Sequence, residues 1–207
     1  MVRYESFHGT ASNIAKNTIK YDKKNIKFTN FAGEISKGMS YNRNKRGTKP
    51  KPPGSLGYGF YTFIHTKELA EKFISKSYDD YTLIKVISCF EENEILDFNE
   101  KDVRERFHAF RAEFLKYVQK IYDQLGNPSN TSKQHAVDGI VIESFIQKLE
   151  KNEKKKIFSV LMWTFTPCEE LEDEKFVSYV PNGLELCIRR KENITSLEEV
   201  LLDVYKN

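Results

Sequence analysis

The sequence predicts an α+β domain on a mostly antiparallel, split β-sheet with flanking helices. Short runs rich in β-branched and aromatic residues, such as "FYTFI" and "TLIKVISCF", outnumber the helical patterns. Their order does not alternate strand with helix, as a doubly wound sheet requires. The 207 residues, 39% hydrophobic and 13% aromatic, suffice for one core without a disulfide or metal, so a single domain spanning 1–207 is expected.

Taken in order, residues 2–7 read as the first strand, and Thr10 or Ser12 caps a short helix containing Ile14 and Ile19. The segment "NRNKRGTKPKPPGSLGYG" is basic from Arg43 to Lys51 and broken by proline and glycine, which predicts a loop over about 41–56. It is either a lid contacting substrate or a solvated insertion. "FYTFI" is a strand, Thr66 is placed to cap the helix "KELAEKFISKS", and "TLIKVISCF" is another strand. Val103, Phe107, Phe110, Phe114, Tyr117 and Ile121 recur at spacings of four and three, predicting a helix over 102–125 within a helical insertion of about 100–126. Asn99 is its expected cap, and Gly126 with Pro128 its stop. That stripe either packs into the core or seats a partner helix.

"DGIVIES", "IFSVLMWTF" and "LELCIRR" read as strands, with "EKFVSYV" as a further one and "KLEKNEKKKI" as a charged turn. Ser196 and Glu199 have capping-box spacing ahead of a short C-terminal helix carrying Leu197, Val200, Leu201 and Val204.

Charge is nearly balanced at a formal +3, which favours neither a nucleic acid nor a membrane partner. Cys89, Cys168 and Cys187 have no CxxC spacing and read as reduced, mostly buried thiols, with no metal site expected. The first residues hold no apolar run of signal-peptide or membrane-span length, so a cytoplasmic protein is expected.

Three distant stretches carry candidate chemistry: "FHGT", "GYGFYTF" and "PNGLELCIRRKENI", each at a strand edge. An imidazole can hold a ribose hydroxyl while a following glycine presents its main chain to a planar amide. A glycine-flanked tyrosine has room to lay its ring along an aromatic base. A strand glutamate can bind ribose hydroxyls and oppose positive charge at the neighbouring carbon. Glu143, in "VIES", competes with Glu185 for that acidic role. His65, His108 and His135 have no metal-ligand spacing.

In this order the motifs resemble the ADP-ribosyltransferase superfamily, in its His-Tyr-Glu branch of diphtheria-toxin-like and poly(ADP-ribose) polymerase-like enzymes. His8, Gly9 and Thr10 match its His-Gly-Ser/Thr; Gly57, Gly59, Phe60 and Tyr61 match its Gly-x-Gly-hydrophobic-Tyr. Glu185 falls at its strand glutamate, with Ile194 at the closing apolar position, and "VDGIVIESF" resembles the preceding strand of bacterial and phage relatives. The resemblance implies an NAD-dependent mono-ADP-ribosyltransferase with a protein or nucleic-acid acceptor. An intracellular toxin or phage-defence effector, with an antitoxin-like partner and no membrane, fits that class. His8, Gly9, Thr10, Gly59, Tyr61 and Phe73 would bind NAD, Glu185, Tyr61 and His8 would serve catalysis, and no metal is implied. The serine and second tyrosine of polymerase-type members have no match near Leu69 and Lys72, which argues for single transfer over chain growth; Thr66 and Phe73 are the nearest substitutes. The alternative is a catalytically silent module on the same fold that binds a nucleotide or a partner. The extra Arg and His residues of a 2′-phosphate-removing RNA transferase are not evident.

Overall fold

The expected N-terminal strand runs Val2–Ala11 (β1) and leads directly into the helix Ser12–Ile19 (α1) in a computed structural model that describes residues 1–19, 23–44, 49–124, 136–166 and 180–200. A helix not foreseen from sequence, Phe31–Asn44 (α2), takes in the first residues assigned above to the basic loop. The next elements follow expectation: Phe60–Ile64 (β2), Lys67–Ser75 (α3) and Tyr81–Phe90 (β3). A three-residue strand, Ile95–Asp97 (β4), precedes the long helix Lys101–Gln124 (α4).

From there the chain departs from expectation twice. "DGIVIES" lies inside a helix, Ala136–Asn152 (α5), which also absorbs the start of the presumed charged turn. The chain continues through Ser159–Thr164 (β5) and Gly183–Ile188 (β6). The capping-box segment is not helical either: Ile194–Val200 (β7) is a strand, and the Ser196 hydroxyl donates to Glu198 Oε1 at 2.9 Å. Leu201 and Val204, Gly126 and Pro128, Cys168, His135 and most of "EKFVSYV" lie outside the described residues.

The strands form a seven-stranded mixed sheet in the order β4-β5-β6-β2-β1-β3-β7, antiparallel except for the β4–β5 pair. β7 is a strand because β3 offers it an open edge, and edge pairing satisfies its backbone groups more completely than a short exposed helix would. Two of the caps proposed from sequence, Thr66 and Asn99, differ in detail. Thr66 precedes α3, but its hydroxyl donates to the Ile64 carbonyl at 3.0 Å. The Asn99 side chain accepts from the Trp163 N–H at 3.0 Å, and the Glu100 carbonyl takes the Arg104 N–H.

α4 and α5 pack together on one side, where Phe145 is ringed by Phe107 and Phe110 at centroid distances of 5.6 and 5.3 Å. Phe107 and Phe110 thus belong to the core, whereas Tyr117, further along the same stripe, is 57% exposed. α3 covers β1 and β3 through Leu69, Ala70 and Ile74. Among the described residues, no helix is long and apolar enough to cross a membrane.

Because Phe145 is 3% exposed at the centre of this aromatic contact, Phe145→Ala is expected to cost about 3–5 kcal/mol in urea unfolding. A loss below about 1 kcal/mol would place the α4–α5 contact outside the cooperative core.

Candidate active site

β1 pairs with β3 along its whole length but with β2 at only two positions, Ser6 with Ile64 and Phe7 with Phe63. The Glu5 carbonyl accepts from the His65 N–H, so the main-chain polar groups of residues 5, 7 and 9 point towards β2. The ladder's next hydrogen-bonded position would set Gly9 opposite Tyr61, but pairing has ended there. Gly9 therefore turns its N–H and C=O towards an opened seam. Beside that seam lies a cavity of about 480 Å³.

His8, Tyr61 and Glu185 all line this cavity, although they come from β1, β2 and β6. His8 Nδ1 lies 2.7 Å from the Tyr61 carbonyl. A carbonyl only accepts, so Nδ1 carries the proton and Nε2 of the neutral ring is left as an acceptor. Burial holds the His8 pKa below its usual value, and the Tyr61 carbonyl partly offsets that shift. The imidazole packs on Phe60 with a centroid distance of 4.2 Å.

Tyr61 presents its ring to the cavity and uses its hydroxyl elsewhere. The hydroxyl donates to the Gly57 carbonyl at 2.7 Å and accepts from the Leu56 N–H at 2.8 Å. Burial pushes its pKa well up, with the Cys187 thiol and Glu185 adding to the shift, so it does not ionise in this setting. The sequence reading gave the glycines around it the task of leaving space for a ligand. The structure assigns that space to the protein's own groups. A Cβ on Gly54 would meet the Tyr61 hydroxyl, one on Gly57 would run into Glu143, and one on Gly59 into the Cys187 sulfur. Gly57 also has φ +91°, a conformation open to glycine at little cost.

Glu185 stands between Phe63 of β2 and Met162 of β5 in the cross-strand register, and the Ser55 hydroxyl lies 3.5 Å from its Oε2. Its competitor Glu143 is on α5, 1% exposed, and does not line the cavity. Both Glu143 oxygens are engaged by Arg189, and Oε1 also accepts from the Tyr58 N–H at 2.6 Å. Glu143, expected within the strand "DGIVIES", is thus a buried, paired helix residue.

Gly9, Gly59 and Phe73 also line the cavity, Phe73 meeting Phe63 edge-on at 6.0 Å between centroids. Thr10 does not: it is buried on β1 opposite Thr82. Thr66 is also absent from the wall. Residues that sequence reasoning missed include Lys27, Ser55, Tyr58 and Thr166. Lys51 is there too, at one end of the basic stretch read from sequence as either a substrate-contacting lid or a solvated insertion. Only Tyr58 carried a local signal, as the middle residue of "GYG"; the others are ordinary surface types brought in by loops. Burial pushes the Cys187 thiol up to about 12, so this cysteine is no nucleophile. Cys89 is a second free thiol, half-buried.

No family model, no curated protein and no solved structure matches this chain. Among the described residues, no cluster of three or more His, Cys, Asp or Glu side chains is arranged to hold a metal ion.

The depressed His8 pKa has a definite sign. The unfolded chain takes up a proton near the usual 6.5, before the folded one does. The contribution of His8 to stability is therefore complete above 6.5 and is lost as pH falls from there towards the folded value. Between about pH 7.5 and pH 5.5, the melting temperature of the wild type should drop further than that of His8→Asn. Equal drops, or an NMR titration midpoint for His8 at or above the usual value, would refute this.

Proposed function

We propose that the cavity binds NAD and that the protein is a mono-ADP-ribosyltransferase, its sheet opened at the β1–β2 seam in the manner of the ADP-ribosyltransferase-like split sheet. The observation carrying this reading is that imidazole, phenol ring and carboxylate from three strands line one cavity. The volume suits a small-molecule site, such sites running from about 300 to 1,000 Å³. The wall also fits a dinucleotide chemically: ring faces, a free-facing glycine main chain, a carboxylate, and two lysine side chains for phosphate charge.

In this reading Gly9 reads the nicotinamide amide through its main chain, and Tyr61 lies against the ring. Phe73 supplies the opposite apolar wall in place of the second tyrosine of polymerase-type enzymes. His8 Nε2 accepts from a ribose hydroxyl on the adenosine side. Glu185 binds the hydroxyls of the nicotinamide ribose and opposes the positive charge that grows at the anomeric carbon. The bond from that carbon to nicotinamide breaks with its electron pair leaving on the ring nitrogen. The acceptor's nucleophilic atom forms the new bond and gives up its proton. Phe7 and Phe63 help keep water from the reacting carbon. Lys27 and Lys51 lie on the cavity wall where the pyrophosphate would sit. The basic stretch that Lys51 closes is offered as the contact for a protein or nucleic-acid acceptor. A toxin or defence role, with an inhibitory partner in the same cell, is the biological setting the resemblance suggests.

Incubating the wild type with labelled NAD and a host lysate should release nicotinamide and label a macromolecule, with protease and nuclease digestion identifying its class. Glu185→Gln should slow turnover about a hundredfold or more while leaving NAD binding largely intact. NAD binding without release would favour a silent nucleotide-binding module. A wild type that neither binds nor turns over NAD would overturn the reading.

A further inference from the structure

The loop from Gly54 to Gly59 supplies several groups to the cavity wall, and α5 holds it at both ends. Gly139 and Glu143 lie one helical turn apart on α5 and so share a face. At Gly139 the Gly54 carbonyl comes so close to the helix that any Cβ there would overlap it. At Glu143 the carboxylate takes the Tyr58 N–H at 2.6 Å, while Arg189 Nη1 donates to the Tyr58 carbonyl at 3.3 Å. Arg189 also closes a two-pronged pair with Glu143, Nη2 to Oε2 at 3.0 Å. Both side chains are buried or nearly so, at 2% and 16% exposure.

A buried charge pair is seldom the most stable filling for its space, since apolar side chains of similar size often do as well or better. What this pair supplies, and an apolar pair cannot, is an acceptor and a donor for the two main-chain groups of Tyr58. Arg189 stands four residues beyond Glu185 on the same stretch of chain. The pair therefore ties the loop behind Tyr61 to the strand that carries Glu185.

We propose that Gly139, Glu143 and Arg189 are positioning residues that clamp the 54–59 loop in its ligand-binding form, so that the "DGIVIES" helix sets affinity for the nucleotide without touching it. This rests on the NAD reading given above. Loosening the clamp frees Tyr58 and the Tyr61 hydroxyl contacts at Leu56 and Gly57, and the ligand must then order the loop on binding. The cost falls on KM more than on kcat, because Glu185 keeps its own strand.

Two double variants separate the clamp from the ion pair. E143L/R189M fills the space with apolar side chains and removes both main-chain hydrogen bonds that the pair makes to Tyr58, whereas E143Q/R189M restores an acceptor for the Tyr58 N–H. The first should raise KM for NAD about tenfold or more with kcat little changed, and the second should recover most of that loss. Gly139→Ala acts on the other end of the loop and should raise KM in the same way. Amide hydrogen exchange at Tyr58 needs no NAD, and it should run about tenfold faster or more in E143L/R189M than in wild type. Wild-type KM in both E143L/R189M and Gly139→Ala, or unchanged Tyr58 exchange, would overturn the clamp. If E143L/R189M does not fold, Gly139→Ala and E143Q/R189M still decide: a KM at the wild-type value in the first, or raised fully in the second, counts against it. A wild type indifferent to NAD overturns the functional reading alone, since exchange at Tyr58 still reports on the clamp.

Discussion

The cavity exists because two neighbouring strands stop pairing. β1 is held along ten residues by β3, while its bonds to β2 end at Phe7 and Phe63. A polar main chain turned away from its ladder needs water, a side chain or a ligand. The Tyr61 carbonyl obtains a side chain, His8. Gly9 is left facing the gap. The position of the imidazole, the exposure of the glycine main chain and the opening of the hollow are thus consequences of a single local event in the sheet.

Keeping that gap open requires support from behind. Apolar packing anchors Leu56 and Tyr58 of the loop preceding β2 in the core, but Gly54, Gly57 and Gly59 have no side chains to bury. Directional bonds hold the main chain there. The Tyr61 hydroxyl binds the loop from the cavity side, and Glu143 with Arg189 binds it from the helix side. Two buried charges are costly to desolvate, but each is met here by the other and by a main-chain group of Tyr58, and such bonding is the condition under which a buried pair is tolerated. Their pairing also turns Glu143 to Arg189, away from the cavity that Glu185 lines.

Much of the sheet could be read from the chain alone, and the errors have identifiable physical causes. "DGIVIES" looked like a strand because Ile140, Val141 and Ile142 form an unbroken apolar run. Such runs suit either a fully buried strand or a fully buried helix, and periodicity does not separate the two. The structure buries all three, with Phe145, Ile146 and Leu149, on a helix whose neighbours cover most of its circumference. The β7 segment satisfied a helix-start pattern by residue type, yet β3 presents ten residues of edge and captures it. α2 was hidden by its composition: glycines and polar residues diluted any apolar stripe.

By itself the sequence marked the candidate residues, since a His-Gly, a glycine-flanked tyrosine and a strand glutamate are local patterns whose types and order are visible without coordinates. It determined the α+β class for the same reason, strand propensity and turn residues being local. Only the tertiary structure put Glu185 and not Glu143 on the cavity wall, left Thr10 and Thr66 off it, and brought in Lys27, Lys51 and Tyr58. Those outcomes depend on which groups meet across long stretches of chain. A carboxylate is structural or reactive according to whether its oxygens are met by a buried guanidinium or turned towards a cavity, and that is a property of packing, not of residue type.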